Sequence, residues 1–129
     1  GDILSDVAAG LVGGMGLAPS GDIGEEHAVF QPCHGSAPDI AGLGHANPVA
    51  TLLSGAMMLE WLGERHDSPA CDLGARLLRA AVGRAFAEGE LVPFELGGNA
   101  GTEVITRRVM ECVRSPETRR EVEISESSR

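Results

Sequence analysis

The segment that follows Asn47-Pro48 is apolar on nearly every side, and it constrains the fold more than any other part of the chain. Asparagine is a good N-cap and proline suits the first helical position, so the sequence predicts a helix that runs to about Leu62 and stops at Gly63. A helix without a polar face is buried on most sides, so other elements must pack around it. Its apolar residues are Val49, Leu52, Leu53, Ala56, Met57, Met58 and Leu59.

Three further helices are predicted from apolar residues that recur every three or four positions. The first covers residues 2–12. The second starts at Ser68-Pro69, ends at Gly89, and is amphipathic. The third covers about 102–113. The outward face of the second helix is predicted to carry Arg76, Arg79 and Arg84.

Strands are few in this sequence. Residues 28–33 predict a short buried strand, and 91–96 predict a short edge strand in which Pro93 cannot donate to a ladder. Residues 13–24 predict turn and loop. Two strands cannot cover the apolar faces of four helices. The predicted class is therefore α/β, helix-rich with few strands, and further elements or a partner should cover the rest.

The two ends of the chain differ from its middle. Residues 115–129 are mostly Ser, Glu and Arg with only two apolar residues, Val122 and Ile124, which predicts a disordered tail after a domain that covers 1–114. The chain starts at Gly1 inside a helical pattern, without an initiator Met or a preceding strand. We therefore expect it to be part of a longer protein.

Composition excludes several classes of function. All 10 basic residues are Arg, the chain has neither Lys nor Tyr, and the formal net charge of −9 argues against nucleic-acid binding. No apolar run is long enough to span a bilayer, and no signal peptide is evident. The 3 cysteines are far apart and form no zinc motif, which is typical of reduced thiols in a cytoplasmic protein.

Two acidic side chains near the start are candidates for metal binding. Asp2 and Asp6 are four residues apart, so a helix places both carboxylates on one face, where they could converge on Mg²⁺ or Mn²⁺. Acidic residues near a helix N-terminus also complement the helix dipole. Spacing alone favours the dipole interpretation.

The long loop from His34 to Asn47 is the second candidate site. Its glycines allow the backbone to approach a ligand, and Asp39 could accept hydrogen bonds from a ribose diol. A surface loop built from turn residues is the alternative. Gly14-Met15-Gly16 is not a dinucleotide fingerprint, because no strand precedes it and the third glycine is missing.

Several blocks resemble the isocitrate/isopropylmalate dehydrogenase family in order and spacing. They are GDILSDVAAGLVGGMGLAPS at 1–20, HGSAPDIAG at 34–42, ANP at 46–48 and LSGAMML at 53–59. The isopropylmalate and tartrate branch is the most similar. The resemblance implies the C-terminal segment of the isopropylmalate dehydrogenase-like fold, which is not a Rossmann fold, and it covers about the last third of a family member.

The resemblance also implies site residues. The two acids of the first block ligate the divalent metal, Mg²⁺ or Mn²⁺, which favours the metal interpretation of Asp2 and Asp6. Asp39 followed by Ile40 is similar to NAD-dependent members, whereas NADP-dependent relatives place Lys and Tyr there. The loop that wraps the adenosine half of NAD would contribute His34, Gly35, Ser36, Ala37, Pro38, Asp39, Ile40 and Asn47.

The implied reaction is the oxidative decarboxylation of a 2-hydroxy acid with a 3-carboxylate, of the 3-isopropylmalate or tartrate type. Hydride passes to the nicotinamide while the metal polarises the C2 oxygen. The family works as a homodimer, and its catalytic Lys, Tyr and substrate-binding Arg cluster lie upstream of this chain. We therefore expect the chain alone to lack dehydrogenase activity, and it cannot identify the acid.

Three features of the sequence depart from the family pattern. Gln31 stands where many relatives have Glu, Leu43-Gly44-His45 replaces a more usual Lys-Gly-Ile, and Gly1 lacks the usual lead-in to the metal helix. The alternative hypothesis is a truncated, non-catalytic module that binds a nucleotide or a partner. A third hypothesis is that a separate chain carries the N-terminal part of the enzyme and complements this one.

Overall fold

The computed structural model describes residues 17–128, which form four helices and one two-stranded sheet. The predicted helix at 2–12 lies outside the described residues. A 3-10 turn at Pro38–Ile40 precedes the first helix. Another 3-10 turn, at Phe94–Leu96, lies between the second and third helices. The strands and helices are β1 (Pro19–Ile23), β2 (Ala28–Pro32), α1 (Val49–His66), α2 (Pro69–Ala87), α3 (Thr102–Arg114) and α4 (Pro116–Ser127).

The start of α2 follows the predicted capping pattern, and α1 begins one residue later than predicted, with Pro48 at the N-cap. The Asn47 side-chain Oδ1 accepts a hydrogen bond from the Val49 amide at 3.0 Å. Ser68 Oγ accepts from the Cys71 amide at 3.4 Å, with Pro69 in the first turn. Local signals of this kind are readable from sequence because the cap and its partner lie within a few residues of each other.

The end of α1 was predicted wrongly. The helix continues through Gly63 to His66, and Asp67 in a left-handed conformation (φ 50°) follows it. Gly63 is buried against α2, where an added Cβ would lie under 3.0 Å from the carboxylate of Asp72. The glycine therefore allows two helices to approach closely and does not terminate the first.

The hairpin of β1 and β2 packs on α1. The strands are antiparallel with Gly21 opposite Phe30, and the Phe30 ring contacts the Trp61 ring at 6.1 Å between centroids. The sequence predicts a loop over 13–24, because Pro19 and Gly21 are typical turn residues. This prediction is wrong over β1, where Gly21 leaves room for the Phe30 ring of the paired strand. Strand β2 is only half-buried, since Val29 faces outward.

The core lies between α1, α2 and α3, and Leu17 and Ala100 close it. The prediction that Arg79 points outward is wrong, because its Nη2 pairs with Glu60 Oε2 at 2.7 Å between α1 and α2. The remaining buried members of the core are aliphatic apart from one phenylalanine and one cysteine: Val49, Leu53, Ala81, Val82, Ala85, Phe86, Ile105, Val109 and Cys112.

The predicted edge strand over 91–96 is not formed. Only Pro93 pairs, in an isolated bridge with Ala100, and Phe94–Leu96 is a 3-10 turn. Gly98 packs so tightly on the Val92 carbonyl that a Cβ there would lie under 3.0 Å from it. Pro93 has no backbone N–H to donate to a neighbouring strand, and the segment forms a turn in place of a strand.

The tail predicted to be disordered contains a helix. In α4, Thr118 and Val122 are buried, and Arg76 and Arg84 of α2 bind its outer carboxylates. Composition could not reveal this, because the contacts join residues about 40–50 positions apart. The Ser115 hydroxyl also donates a hydrogen bond to the Glu117 carboxylate, and this bond lowers the pKa of Glu117. A backbone hydrogen bond and the nearby Arg120 and Arg84 lower that pKa further. The ion pairs are Arg76–Glu126 and Arg84–Glu121, each at 3.3 Å.

None of the helices within residues 17–128 has the length and apolar character needed to cross a membrane.

Candidate functional site

An open groove of about 920 Å³ lies between the 34–47 loop and the start of α3. The loop supplies most of its surface, and the segment that joins α2 to α3 supplies the rest. Half of the lining residues are Gly, Ala or Ser, so a ligand can approach the backbone closely at those positions. The lining residues are His34, Gly35, Ser36, Ala37, Ile40, Ala41, Gly42, Gly44, His45, Ala46, Asn47, Phe94, Glu95 and Thr102.

Most of the site residues suggested by the sequence come together in this groove. Pro38 and Asp39 are not among the lining residues, although their neighbours on both sides are, and the Asp39 side chain is exposed. Asp2 and Asp6 lie outside the described residues. The six suggested residues that line the groove are His34, Gly35, Ser36, Ala37, Ile40 and Asn47.

Left-handed backbone conformations shape the loop. Ala37 has φ 41°, which is unfavourable for a residue with a side chain, and Gly42 (φ 79°) and Gly44 (φ 70°) adopt the same region. Ala37 caps the Pro38–Ile40 turn, whose closing bond runs from the Ala41 amide to the Pro38 carbonyl. A strained non-glycine residue at a cleft is typical of functional loops.

Hydrogen bonds from Thr102 anchor the end of the loop to α3. Its amide donates to the Gly44 carbonyl at 2.8 Å, and its hydroxyl donates to the Ala46 carbonyl. The preceding Gly101 lies so close that an added Cβ would be under 3.0 Å from the Gly44 oxygen. The loop position therefore depends on the start of α3.

Asn47 links the groove loop to α1 and to the Phe94–Leu96 turn. Its Oδ1 caps α1 at the Val49 amide, and its Nδ2 donates to Glu95 Oε1 at 2.7 Å. These two bonds fix which end of the side-chain amide faces which partner. Among the groove-lining residues within 17–128, Glu95 alone carries a formal charge when the histidines are neutral.

Two aromatic rings stack at the groove wall. The rings of His45 and Phe94 lie 3.9 Å apart between centroids, and their planes differ by 22°. His45 comes from the loop and Phe94 from the turn before α3. The pair therefore joins the same two segments as the Thr102 and Asn47 hydrogen bonds.

The sequence gives no indication that Phe94, Glu95 and Thr102 are site residues. The glycine cluster at 97–101 marks a turn, but no local signal indicates that this turn faces a loop about 50 residues earlier. Within 17–128, no group of three or more His, Cys, Asp or Glu side chains could hold a metal ion. The described site offers shape, backbone groups and an amide for binding.

Comparison with known proteins agrees with the family resemblance. The family described as isocitrate/isopropylmalate dehydrogenase matches residues 1–113. The chain belongs to the isocitrate/isopropylmalate dehydrogenase family. Helix α4 lies beyond the matched residues.

The relatives of this family member differ in the acid that their names give as substrate. An isocitrate/homoisocitrate dehydrogenase of Thermus thermophilus is 55% identical over 89% of this chain and 32% of its own length. A 3-isopropylmalate/3-methylmalate dehydrogenase of Methanocaldococcus jannaschii is 50% identical over 88% of this chain and 32% of its own. The narrower expectation of the isopropylmalate branch is therefore not established.

Solved structures carry the same fold segment. A beta-decarboxylating dehydrogenase from Thermococcus kodakarensis, in its apo form, superposes with a TM-score of 0.68 at 44% identity, over 88% of this chain and 31% of that one. An isocitrate dehydrogenase from Methylococcus capsulatus gives 0.69 at 44% identity, over 88% and 32%. This chain thus spans about a third of the length of the relatives it matches.

Proposed function

We propose that this chain is the cofactor-binding part of an NAD-dependent, Mg²⁺- or Mn²⁺-dependent oxidative decarboxylase. The proposed substrate is a 2-hydroxy acid with a 3-carboxylate, of the 3-isopropylmalate or tartrate type. The observation that supports the proposal is the groove, which gathers six of the eight residues suggested for NAD within a family of dehydrogenases.

The adenosine half of NAD is the part of the cofactor that we assign to the groove. Gly35, Ser36 and the left-handed Ala37 place backbone close to any ligand, and Ile40 offers an apolar contact. Asn47 supplies an amide whose orientation is fixed by Glu95. The bound cofactor would accept the hydride, and the residues of this chain would hold its adenosine end in place.

Asp39 has a separate proposed role. It is exposed and lies beside the groove, between two lining residues. A carboxylate there repels an additional phosphate on the ribose, so NAD should bind better than NADP. The rest of the assignment follows the family resemblance: Asp2 and Asp6 as metal ligands, a homodimer, and a cytoplasmic location.

Calorimetric titration of the 129-residue chain with NAD and with NADP tests the cofactor assignment. We expect NAD to bind more tightly, and Asp39→Lys to narrow or reverse the preference. Asp22→Lys is a matched control, because Asp22 is an exposed carboxylate on β1, outside the groove lining. Equal affinities for both dinucleotides in the parent chain and in Asp39→Lys would contradict the role of Asp39.

The metal assignment has its own measurement. Mn²⁺ binding, followed by the loss of the free-ion electron paramagnetic resonance signal, should weaken in Asp2→Asn and Asp6→Asn. Asp67→Asn changes the charge equally at the end of α1 and is the control. Equal Mn²⁺ binding by all variants would overturn the assignment.

A non-catalytic nucleotide-binding module is the second candidate function. The groove itself favours it, because its lining offers shape, backbone groups and an amide for binding. We expect no turnover of isopropylmalate or tartrate by the purified chain with NAD and Mn²⁺. Turnover would show that other residues carry the chemistry.

A further inference from the structure

Helix α4 lies beyond residues 1–113, the part of the chain that matches the family, and its connection to α3 is short. Its first residue, Pro116, follows α3 after a single connecting residue, Ser115. Ser115 has an extended backbone (φ −69°, ψ 132°), and a following proline disfavours the helical conformation at that position. The local sequence therefore presets the direction in which α4 leaves α3.

The second attachment of α4 is its contact with α2, and this contact is small. Thr118 and Val122 are buried, but the Thr118 hydroxyl has no hydrogen-bond partner among residues 17–128. Arg76 and Arg84 of α2 each form a 3.3 Å ion pair with a carboxylate of α4, and such partly exposed pairs contribute little to stability. A contact of this kind opens at a lower free energy than the core does.

Helix α3 connects this contact with the groove. Its first residue, Thr102, donates hydrogen bonds to the carbonyls of Gly44 and Ala46 in the groove loop. Its last residue, Arg114, leads through Ser115 into α4. The 13 residues of α3 form a rod about 20 Å long. Because the connection is one residue long, α4 stays docked on α2 only while the C-terminal end of α3 keeps its place.

We propose that α4 is a releasable strap whose docking on α2 is coupled to cofactor binding in the groove. This inference rests on the proposed NAD function and adds a regulatory element to it. The docked strap restrains α3 at the end opposite the groove. In the released state the core contacts alone hold α3, so the loop gains freedom that NAD must remove on binding. The coupling is reciprocal, so NAD favours the docked strap.

Charge reversal in the full 129-residue chain tests the strap. Arg76→Glu combined with Arg84→Glu places like charges opposite each other and should speed amide hydrogen exchange over 116–127. We expect the 42–47 amide resonances to shift and NAD affinity to fall about fivefold, at the lower end of typical couplings because the core between α2 and α3 persists. Saturating NAD should slow exchange of α4 in the parent chain by the same factor.

Adding Glu121→Arg and Glu126→Arg to that variant reverses both pairs, and it should restore the docked helix and the NAD affinity together. Arg114→Glu combined with Arg119→Glu is the matched control, because it changes the net charge equally at exposed positions outside these ion pairs. It should leave exchange, loop resonances and affinity unchanged.

Val122→Asp is a second way to release α4, through its buried contact. If α4 is released in either variant while the loop resonances and NAD affinity stay those of the parent, the strap is wrong and the cofactor assignment stands. Unchanged exchange of α4 in both variants would also overturn the strap. If the parent chain does not bind NAD, the proposed function fails, and the loop resonances of the released variants still decide whether α4 restrains the groove.

Discussion

The amide of Thr102 donates a 2.8 Å hydrogen bond to the carbonyl oxygen of Gly44, and it thereby ties the first residue of α3 to the far end of the groove loop. The two residues are 58 positions apart in the chain. The bond, together with that from Asn47 to Glu95, makes the shape of the groove depend on the joint between α2 and α3.

Gly101→Ala should disturb this joint. The new Cβ would meet the Gly44 carbonyl oxygen at under 3.0 Å, and a backbone atom cannot rotate away as a flexible side chain can. We expect shifts of the 42–47 amide resonances and weaker NAD binding. Gly83→Ala, in open space on α2, is the control and should leave the loop unchanged. Identical loop spectra in Gly101→Ala and the parent would contradict the proposed dependence.

Asn47→Asp separates helix capping from groove shape. Aspartate still caps α1, but its carboxylate would face Glu95 where the Asn47 amide now donates at 2.7 Å. We expect a loss of unfolding free energy of about 0.5–1 kcal/mol in urea at neutral pH, because the pair is partly exposed. Glu95→Gln should restore stability in the double variant. Additive losses in the two single variants and the double variant would mean that the residues are not coupled.

Gly63→Ala tests the close approach of α1 and α2. The added Cβ would lie under 3.0 Å from the Asp72 carboxylate and 3.2 Å from its amide nitrogen, so the helices must separate slightly. We expect a loss of about 1–3 kcal/mol in the free energy of unfolding. Gly55→Ala, with no atom within 4 Å, should instead stabilise α1 by up to about 1 kcal/mol. Equal stabilisation by both changes would refute the packing argument.

The docking of α4 is tested by two substitutions two residues apart. Val122 is 4% exposed and Ile124 is 67% exposed, so Val122→Asp buries a charge while Ile124→Asp does not. We expect Val122→Asp to release the helix, seen as rapid amide hydrogen exchange over 116–127, and Ile124→Asp to leave exchange unchanged. Slow exchange in both variants would contradict the packing of α4 on α2.

Thr118 gives an independent measure of the same packing. Its side chain is fully buried, and its hydroxyl has no hydrogen-bond partner among residues 17–128. Thr118→Val keeps the shape and removes the unpaired hydroxyl, so we expect a gain in unfolding free energy of about 1 kcal/mol. A clear loss of stability in thermal denaturation would mean that the hydroxyl is satisfied.

The helices were predictable because their signals are local. Asn47, Ser68 and the apolar periodicity set the starts of α1 and α2 within one or two residues. Several failures involve partners outside the local segment: β1 pairs with β2, where Gly21 faces Phe30, and α4 docks on α2, where Arg76 and Arg84 reach its carboxylates. The sequence predicts a helix end at Gly63 because no local signal shows its contact with Asp72 of the next helix.

Residues of the candidate site were likewise predictable only where their signal is local. The 34–47 loop was evident from its glycines, its length and its resemblance to a family, and the structure brings six of the eight suggested residues to one groove. Phe94, Glu95 and Thr102 were missed because they join the groove only through the packing of α2 and α3. Asp39 lies outside the lining, although Ala37 and Ile40 are part of it.

The most direct measurement is a ¹H–¹⁵N correlation spectrum of the purified chain, recorded with and without NAD. We predict dispersed peaks, with NAD-dependent shifts confined to residues 34–47 and to Phe94, Glu95 and Thr102. Such a result would place the nucleotide in the groove. Dispersed peaks that do not respond to NAD, or that respond only elsewhere, would contradict the assignment of this groove to the cofactor.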